Sequence, residues 1–190
     1  KHCTVKGLLY GLFTFTQLYG LYRHLMINTE RLNLMIPSSS HLIDLYNICS
    51  HPQANIYTPK GLHNSKLDTQ RWIEKWQNHW QQYQFGYFVL VKKIDCSVIG
   101  ICGYEYRQLK QETVLNLFYK LHPSFEGQGY ACEAITAITN FVNYIDQETV
   151  KVIRTNKCNQ RSINLAERLN FKRDDTMDDI INQGDIVFYK

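Results

Sequence analysis

The sequence predicts a mixed α/β sheet within one domain. Three observations carry this. Strand-like and helix-like patterns follow one another as strand, helices, a meander of strands, helix, strand, helix and two closing strands. The length of 190 residues suits one domain, for which roughly 100–200 residues is usual. No Pro/Gly/Ser-rich linker and no internal repeat divides residues 26–190. With 44% hydrophobic and 20% charged residues, and only 10 Gly and 4 Pro, the disordered, collagen-like and low-complexity classes are excluded.

The elements follow in order. Ile27 to Ile36 reads as a first strand. Ser38–Ser40 supplies a helix N-cap for a helix carrying Leu42, Ile43, Leu45, Tyr46 and Cys49. His51-Pro52 ends that helix, because a residue before proline avoids the helical region. A second helix starts near Ser65 or Asp68 and places Trp72, Trp76 and Trp80 on one face, expected in the core. Gly86–Val91 and Val98–Tyr106 form a hairpin across the polar stretch 92–97, and 108–113 is a polar turn before the strand Val114–Leu121, which Pro123 stops. Ala131, Ala134, Ile135, Ile138, Val142 and Ile145 repeat at helical spacing. Val150–Arg154 is a strand, and Ser162–Leu169 a short helix with Asn170 in the left-handed cap. The closing strands lie near Phe171–Thr176 and Ile186–Tyr189, joined through turn chemistry at Asn182–Gly184.

The net charge of +4 is localised. Three of the 21 basic residues, and none of the 17 acidic ones, lie in the first 25 residues. The remainder is nearly neutral and offers no broad cationic face, so a nucleic-acid partner is not expected. The six cysteines show neither C-x-x-C nor zinc-finger spacing, which points to reduced thiols in a cytoplasmic protein without a metal. The uncharged run 7–22, bracketed by Lys6 and Arg23, is shorter than the roughly 20 residues a spanning helix needs. Met26 is expected as the natural start, with 1–25 an N-terminal extension upstream of the domain 26–190. A membrane-associated or packing extension and a cleaved signal are the alternatives.

The stretch Leu121-His-Pro-Ser-Phe-Glu-Gly-Gln-Gly-Tyr-Ala-Cys-Glu-Ala134 carries the chemistry. Two glycines stand between a strand end and an amphipathic helix. Glycine lets backbone approach a ligand, and the free N–H groups of a helix start suit a phosphate. A loop that merely turns tightly is the plainer reading. Cys132 stands where a dinucleotide G-x-G-x-x-G has its third glycine, and no G-x-x-x-x-G-K-[ST] is present.

This run resembles the acetyl-CoA loop of the GNAT superfamily of N-acetyltransferases. It is most similar to the branch that acetylates ribosomal-protein N-termini, with its "HP-x-x-W-G-x-G-Y-A-x-E-A" pattern. Three further runs match in order. Thr29-Glu-Arg-Leu32 with Leu34 and Pro37 looks like the opening strand. Val98-Ile-Gly-Ile-Cys-Gly103 looks like the "IG-x-x-G" strand. Asn159-Gln-Arg-Ser162 through Glu167-Arg-Leu-Asn-Phe171 looks like the "N-x-x-S … E-(K/R)-L-G-F" helix.

The resemblance implies a single-domain GNAT fold that transfers acetyl from acetyl-CoA to a primary amine. The acceptor expected is a protein or peptide N-terminus, the alternatives being a small amine such as an aminoglycoside or polyamine, or a non-catalytic acyl-CoA-binding module, and the protein is expected to be a monomer or homodimer. Backbone amides around Gly127, Gln128, Gly129, Tyr130 and Ala131 would hold the pyrophosphate. Pantetheine would lie where the strand ending at Leu121 and His122 splays from Val150–Arg154, with Asn159 reaching it. Ser162 matches the branch's proton donor, with helix capping as its other reading. The tyrosine that many relatives place further along that helix is Ala166 here. The glutamate leading to the loop in relatives is Asn116, which cannot act as a base, so Glu105 is the substitute, with an exposed strand-end carboxylate as the plainer reading. A water relay is the other route. Asp174, Asp175, Asp178 and Asp179 read as a solvated turn or as an attractor for a cationic acceptor. Tyr57, Trp72 and Trp76 fall in the region that shapes the acceptor cleft in relatives.

Overall fold

Thr29 turns the first strand back on itself. Its hydroxyl accepts from the Leu32 amide at 3.0 Å, and the expected strand 27–36 becomes a hairpin of β1 (Met26–Asn28) and β2 (Leu32–Met35). The computed structural model describes residues 26–58, 61–179 and 182–190, so the expectations for 1–25 lie outside the described residues.

Ser38 heads a short 3-10 turn, Ser39–His41, that leads into α1 (Leu42–Cys49). α2 (Lys66–Tyr83) is capped by Ser65, whose side chain accepts from the Asp68 amide while Asp68 accepts from the Ser65 amide. β3 (Tyr87–Lys92), β4 (Val98–Leu109) and β5 (Glu112–Leu121) form the central meander. Its second hairpin is longer than expected. The predicted turn shrinks to Lys110-Gln111, because polar residues on both sides pair across the strands: Gln108 Nε2 donates to Thr113 Oγ1 at 2.7 Å. α3 (Tyr130–Ile145) and β6 (Lys151–Asn156) follow, then α4 (Gln160–Arg168), β7 (Lys172–Asp174) and β8 (Asp185–Tyr189).

Among the described residues the strands form one sheet in the order β1-β2-β3-β4-β5-β6-β8-β7, with β5 and β6 as its parallel pair. One face packs on α3 and α4 through Ile135, Ile138, Val142, Ala166 and Leu169. The other face packs on α1 and α2 through Leu45, Ile73 and Trp76. The three tryptophans divide between them. Trp72 and Trp76 join Tyr87 and Val89 on the second face, whereas Trp80 packs on Phe88 and Phe141 and donates its indole N–H to the Tyr87 carbonyl at 2.8 Å.

Candidate active site

Two neighbouring parallel strands part company here. β5 and β6 are in register only from Leu115↔Lys151 to Leu117↔Ile153, yet β5 runs on to Leu121 and β6 to Asn156. The Leu115 amide donates to the Val150 carbonyl at 2.9 Å, so odd-numbered amides of β5 point toward β6. By that alternation the amides of Tyr119 and Leu121 face the opening beyond the last pair. The opening is a cleft of about 910 Å³.

At its end the chain turns through Gly127 and Gly129, with φ of +75° and +84°, a region that side chains rarely adopt. A Cβ at Gly127 would meet nothing within 4 Å, and one at Gly129 only the Arg31 guanidinium at 3.4 Å. The backbone is therefore open on its outer side. Gly129 is the N-cap of α3 and makes no side-chain cap, so the amides of Tyr130, Ala131 and Cys132 have no partner within the helix. Together with the positive end of the helix, these groups fit a pyrophosphate.

Arg31 fixes this turn. It donates through Nη1 to the Gln128 carbonyl at 3.0 Å and through Nε to Glu133 at 2.7 Å, and its guanidinium lies 4.4 Å from the Tyr130 ring centre. Thr29 and the Arg31 amide also donate to Glu133, and these bonds draw its carboxyl below its ordinary value against the effect of burial. The run Thr29-Glu-Arg-Leu32 was readable as an opening strand. Its role as the brace of a loop about a hundred residues away was not.

The expected site residues divide. Leu121, Gly127, Gly129, Tyr130, Ala131, Asn159 and Ser162 line the cleft together. Gln128 is exposed beside it, and its carbonyl is taken by Arg31. His122 caps the short turn Pro123–Phe125, accepting from the Ser124 amide, and meets the His51 ring edge-on. Asn159 is the N-cap of α4 and accepts from the Ser162 amide at 3.2 Å. Ser162 is thus in the first turn of α4 rather than its cap, and is only 4% exposed. Tyr119 lies close enough for the Ser162 hydroxyl to act on its phenol, which burial nonetheless pushes above its ordinary value. Tyr119 lines the cleft from β5, and nothing in the periodicity marked it beyond its alternation with Leu121.

Glu105 lies apart. It is 2% exposed, stands opposite Asn116 in the β4–β5 register, and is not among the cleft-lining residues. One oxygen accepts from Arg107 at 2.5 Å, while the other is buried without a partner. The position expected at an exposed strand end is interior because β4 continues past it to Leu109.

The acidic run is engaged locally. Asp174 accepts from the Thr176 amide and hydroxyl, Asp178 pairs with Arg173 at 2.5 Å, and Asp179 accepts from the Gly184 amide. Cys49, Cys96, Cys102, Cys132 and Cys158 are free thiols. Among the described residues no group of three His, Cys, Asp or Glu is placed to hold a metal, and no helix is long and apolar enough to cross a membrane.

The GNAT acetyltransferase domain profile matches residues 31–172. Solved structures share the architecture. The ribosomal L7/L12 α-N-protein acetyltransferase RimL in complex with coenzyme A is 16% identical, with a TM-score of 0.74 over 87% of this chain and 97% of that one. The Salmonella typhimurium acetyl transferase that modifies the N-terminal serine of L7/L12 is also 16% identical, with a TM-score of 0.71 over 87% and 98%. An acetyltransferase from Agrobacterium tumefaciens is 20% identical, with a TM-score of 0.72 over 87% and 94%. At these identities the likeness is one of fold. The domain match covers most of the chain, and the chain belongs to the GNAT family of acetyltransferases.

Proposed function

We propose that this acetyltransferase transfers acetyl from acetyl-CoA to the primary amine of a protein or peptide N-terminus, with donor and acceptor bound together. The observation that carries this is the opening between β5 and β6, which ends on the glycine turn at the start of α3. Acetyl-CoA supplies the acetyl group as a thioester. The amides at Gly127–Ala131 bind its pyrophosphate, while those of Tyr119 and Leu121 bind along the arm and stabilise developing charge on the acyl oxygen. The end of β5 at Leu121, followed by His122, and the Asn159 side chain complete the slot.

The acceptor amine must be neutral to attack, so a base must take its proton. Because Glu105 lies off the cleft, it would serve through a chain of water, with a water relay that ends elsewhere as the other route. Ser162, which lines the cleft beside Tyr119, delivers a proton to the departing sulfur, and the strand tyrosine stands in for the helix tyrosine that Ala166 replaces. The choice of a peptide acceptor is supported by RimL and the Salmonella enzyme, which act on L7/L12.

The experiment has two parts. Millimolar acetyl-CoA should raise the melting temperature, since a ligand that binds only the folded state must stabilise it. Thiol release over a panel of N-terminal peptides and small amines should then show turnover on peptides. No stabilisation would overturn the cofactor assignment, and turnover confined to small amines would overturn the acceptor assignment.

A further inference from the structure

One buried cation in the cleft lacks a counter-charge. Lys120 lies on the run of β5 beyond its last pair with β6, lines the cleft, and is 6% exposed. Its ammonium donates to Asn55 Oδ1 and, at 3.3 Å, to the Gly61 carbonyl. Among the described residues no carboxylate comes within ion-pair distance of it, and beyond those two acceptors it meets only the face of the Phe118 ring, whose centre is 5.9 Å away. The other cleft cations differ. Arg154 pairs with Asp185 at 3.5 Å, Arg161 pairs with Glu126, and Arg168 is exposed to water. Taking an ammonium out of water without an anion is costly, and a buried charge of this kind is offset when a partner brings the anion.

Two anions are available in principle, a cofactor phosphate and an acceptor carboxylate. The side of the sheet decides between them. Along β5, Tyr119 and Leu121 pack with the residues of α3, on whose side the glycine turn lies. Lys120 alternates with them and reaches instead to Asn55 and Gly61, in the segment between α1 and α2. That segment also gives the cleft Gln53, Ile56, Tyr57 and Thr58, with Ile56 and Tyr57 exposed at its edge. Asn55 is held by bonds to the Cys49 and His51 carbonyls at 2.8 and 2.9 Å, so the lysine is seated rather than loose. The acidic run near β8 is not among the residues that line the cleft, and its Asp178 is paired with Arg173.

We propose that Lys120 is a specificity-determining residue that selects acceptor peptides bearing a carboxylate close to the reacting N-terminus and rejects polycationic amines. This rests on the peptide-acceptor reading above and names its substrate class.

The test uses the whole chain and peptides identical except for Asp, Asn or Lys at the second and third positions, with spermidine as a polycation. The wild type should favour the Asp peptide over the Lys peptide by at least about tenfold in kcat/KM, a modest expectation for a desolvated charge pair. Lys120→Met should erase that preference through the acceptor KM, while acetyl-CoA affinity measured by calorimetry stays unchanged. Lys120→Arg should keep part of the preference, and it keeps the test decisive if the methionine variant fails to fold. Turnover of all three peptides at equal rates would overturn the role of Lys120 and leave the peptide reading standing. A loss of acetyl-CoA affinity in Lys120→Met equal to the loss in kcat/KM would assign the charge to a cofactor phosphate. Spermidine outpacing every peptide would overturn the peptide reading itself.

Discussion

Arg31 and Glu133 are joined twice, once through the Arg31 backbone amide at 2.8 Å and once through its guanidinium at 2.7 Å, across 102 residues of sequence. The same guanidinium holds the Gln128 carbonyl, so the opening hairpin sets the shape of the glycine turn. Arg31→Ala is expected to weaken acetyl-CoA binding several-fold. Its effect on stability should be small, about 1 kcal/mol, because the guanidinium is substantially exposed. Calorimetric titration and thermal melts check both numbers. Arg31→Lys should restore the fold more than the affinity, since a lysine lacks the planar fork that reaches two acceptors.

Gly129 holds a left-handed conformation with space on its outer side. Gly129→Val should abolish acetyl-CoA binding, because a branched side chain would both strain the backbone and fill the ligand's approach. The strain alone should cost about 1–2 kcal/mol in denaturant melts. A Gly129→Val protein that binds acetyl-CoA normally would remove this turn from the site.

Ser162 and Tyr119 line the cleft together, and in the proposed mechanism they act as one unit. Ser162→Ala and Tyr119→Phe are each expected to lower kcat by about 100-fold, the low end for proton transfer by a positioned group, with acetyl-CoA affinity changed little. The double variant should lose scarcely more than either single one. Fully additive losses would separate their roles.

Glu105→Gln tests the base. The amide keeps the volume and a bond to Arg107 but cannot accept the acceptor's proton. The transfer rate should fall with little loss of acetyl-CoA affinity, and an unchanged rate would leave the proton to a water relay without Glu105.

Stability should fall as the solution is acidified through the imidazole range. Burial lowers the proton affinity of His41, His63 and His79 in the folded chain. Below about pH 6.5, the ordinary imidazole value, the unfolded chain therefore binds protons that the folded chain does not, and unfolding is favoured. Melting temperatures should be level above about pH 7.5 and decline below about pH 6.5. His63→Gln, which can still reach Thr69, should flatten the decline. A melting temperature that rose on acidification would contradict the assignment.

The central meander and α3 were legible because their apolar residues repeat with periods of two and of helical length across long runs. The glycine turn was legible because few other residues tolerate its dihedrals. What escaped were relationships between distant residues. The break at Thr29 depends on a hydroxyl that serves both Leu32 and Glu133, and no local pattern announces that. The interior place of Glu105 follows from polar rungs such as Gln108–Thr113 that extend a hairpin where composition suggests a turn. Tyr119 and Lys120 read simply as strand residues until the register put one beside Ser162 and the other beneath Asn55.

The short register between β5 and β6 has a mechanical consequence. Beyond its three residue pairs no backbone ladder holds the five-strand part of the sheet to the three-strand part, and there the two are joined by the apolar side chains they share. A guest lodged in the slot and bonded to the amides of Tyr119 and Leu121 would supply the pairing that β6 does not, and so act as a splint. Amide exchange at Tyr119 and Leu121 would register the splinting directly.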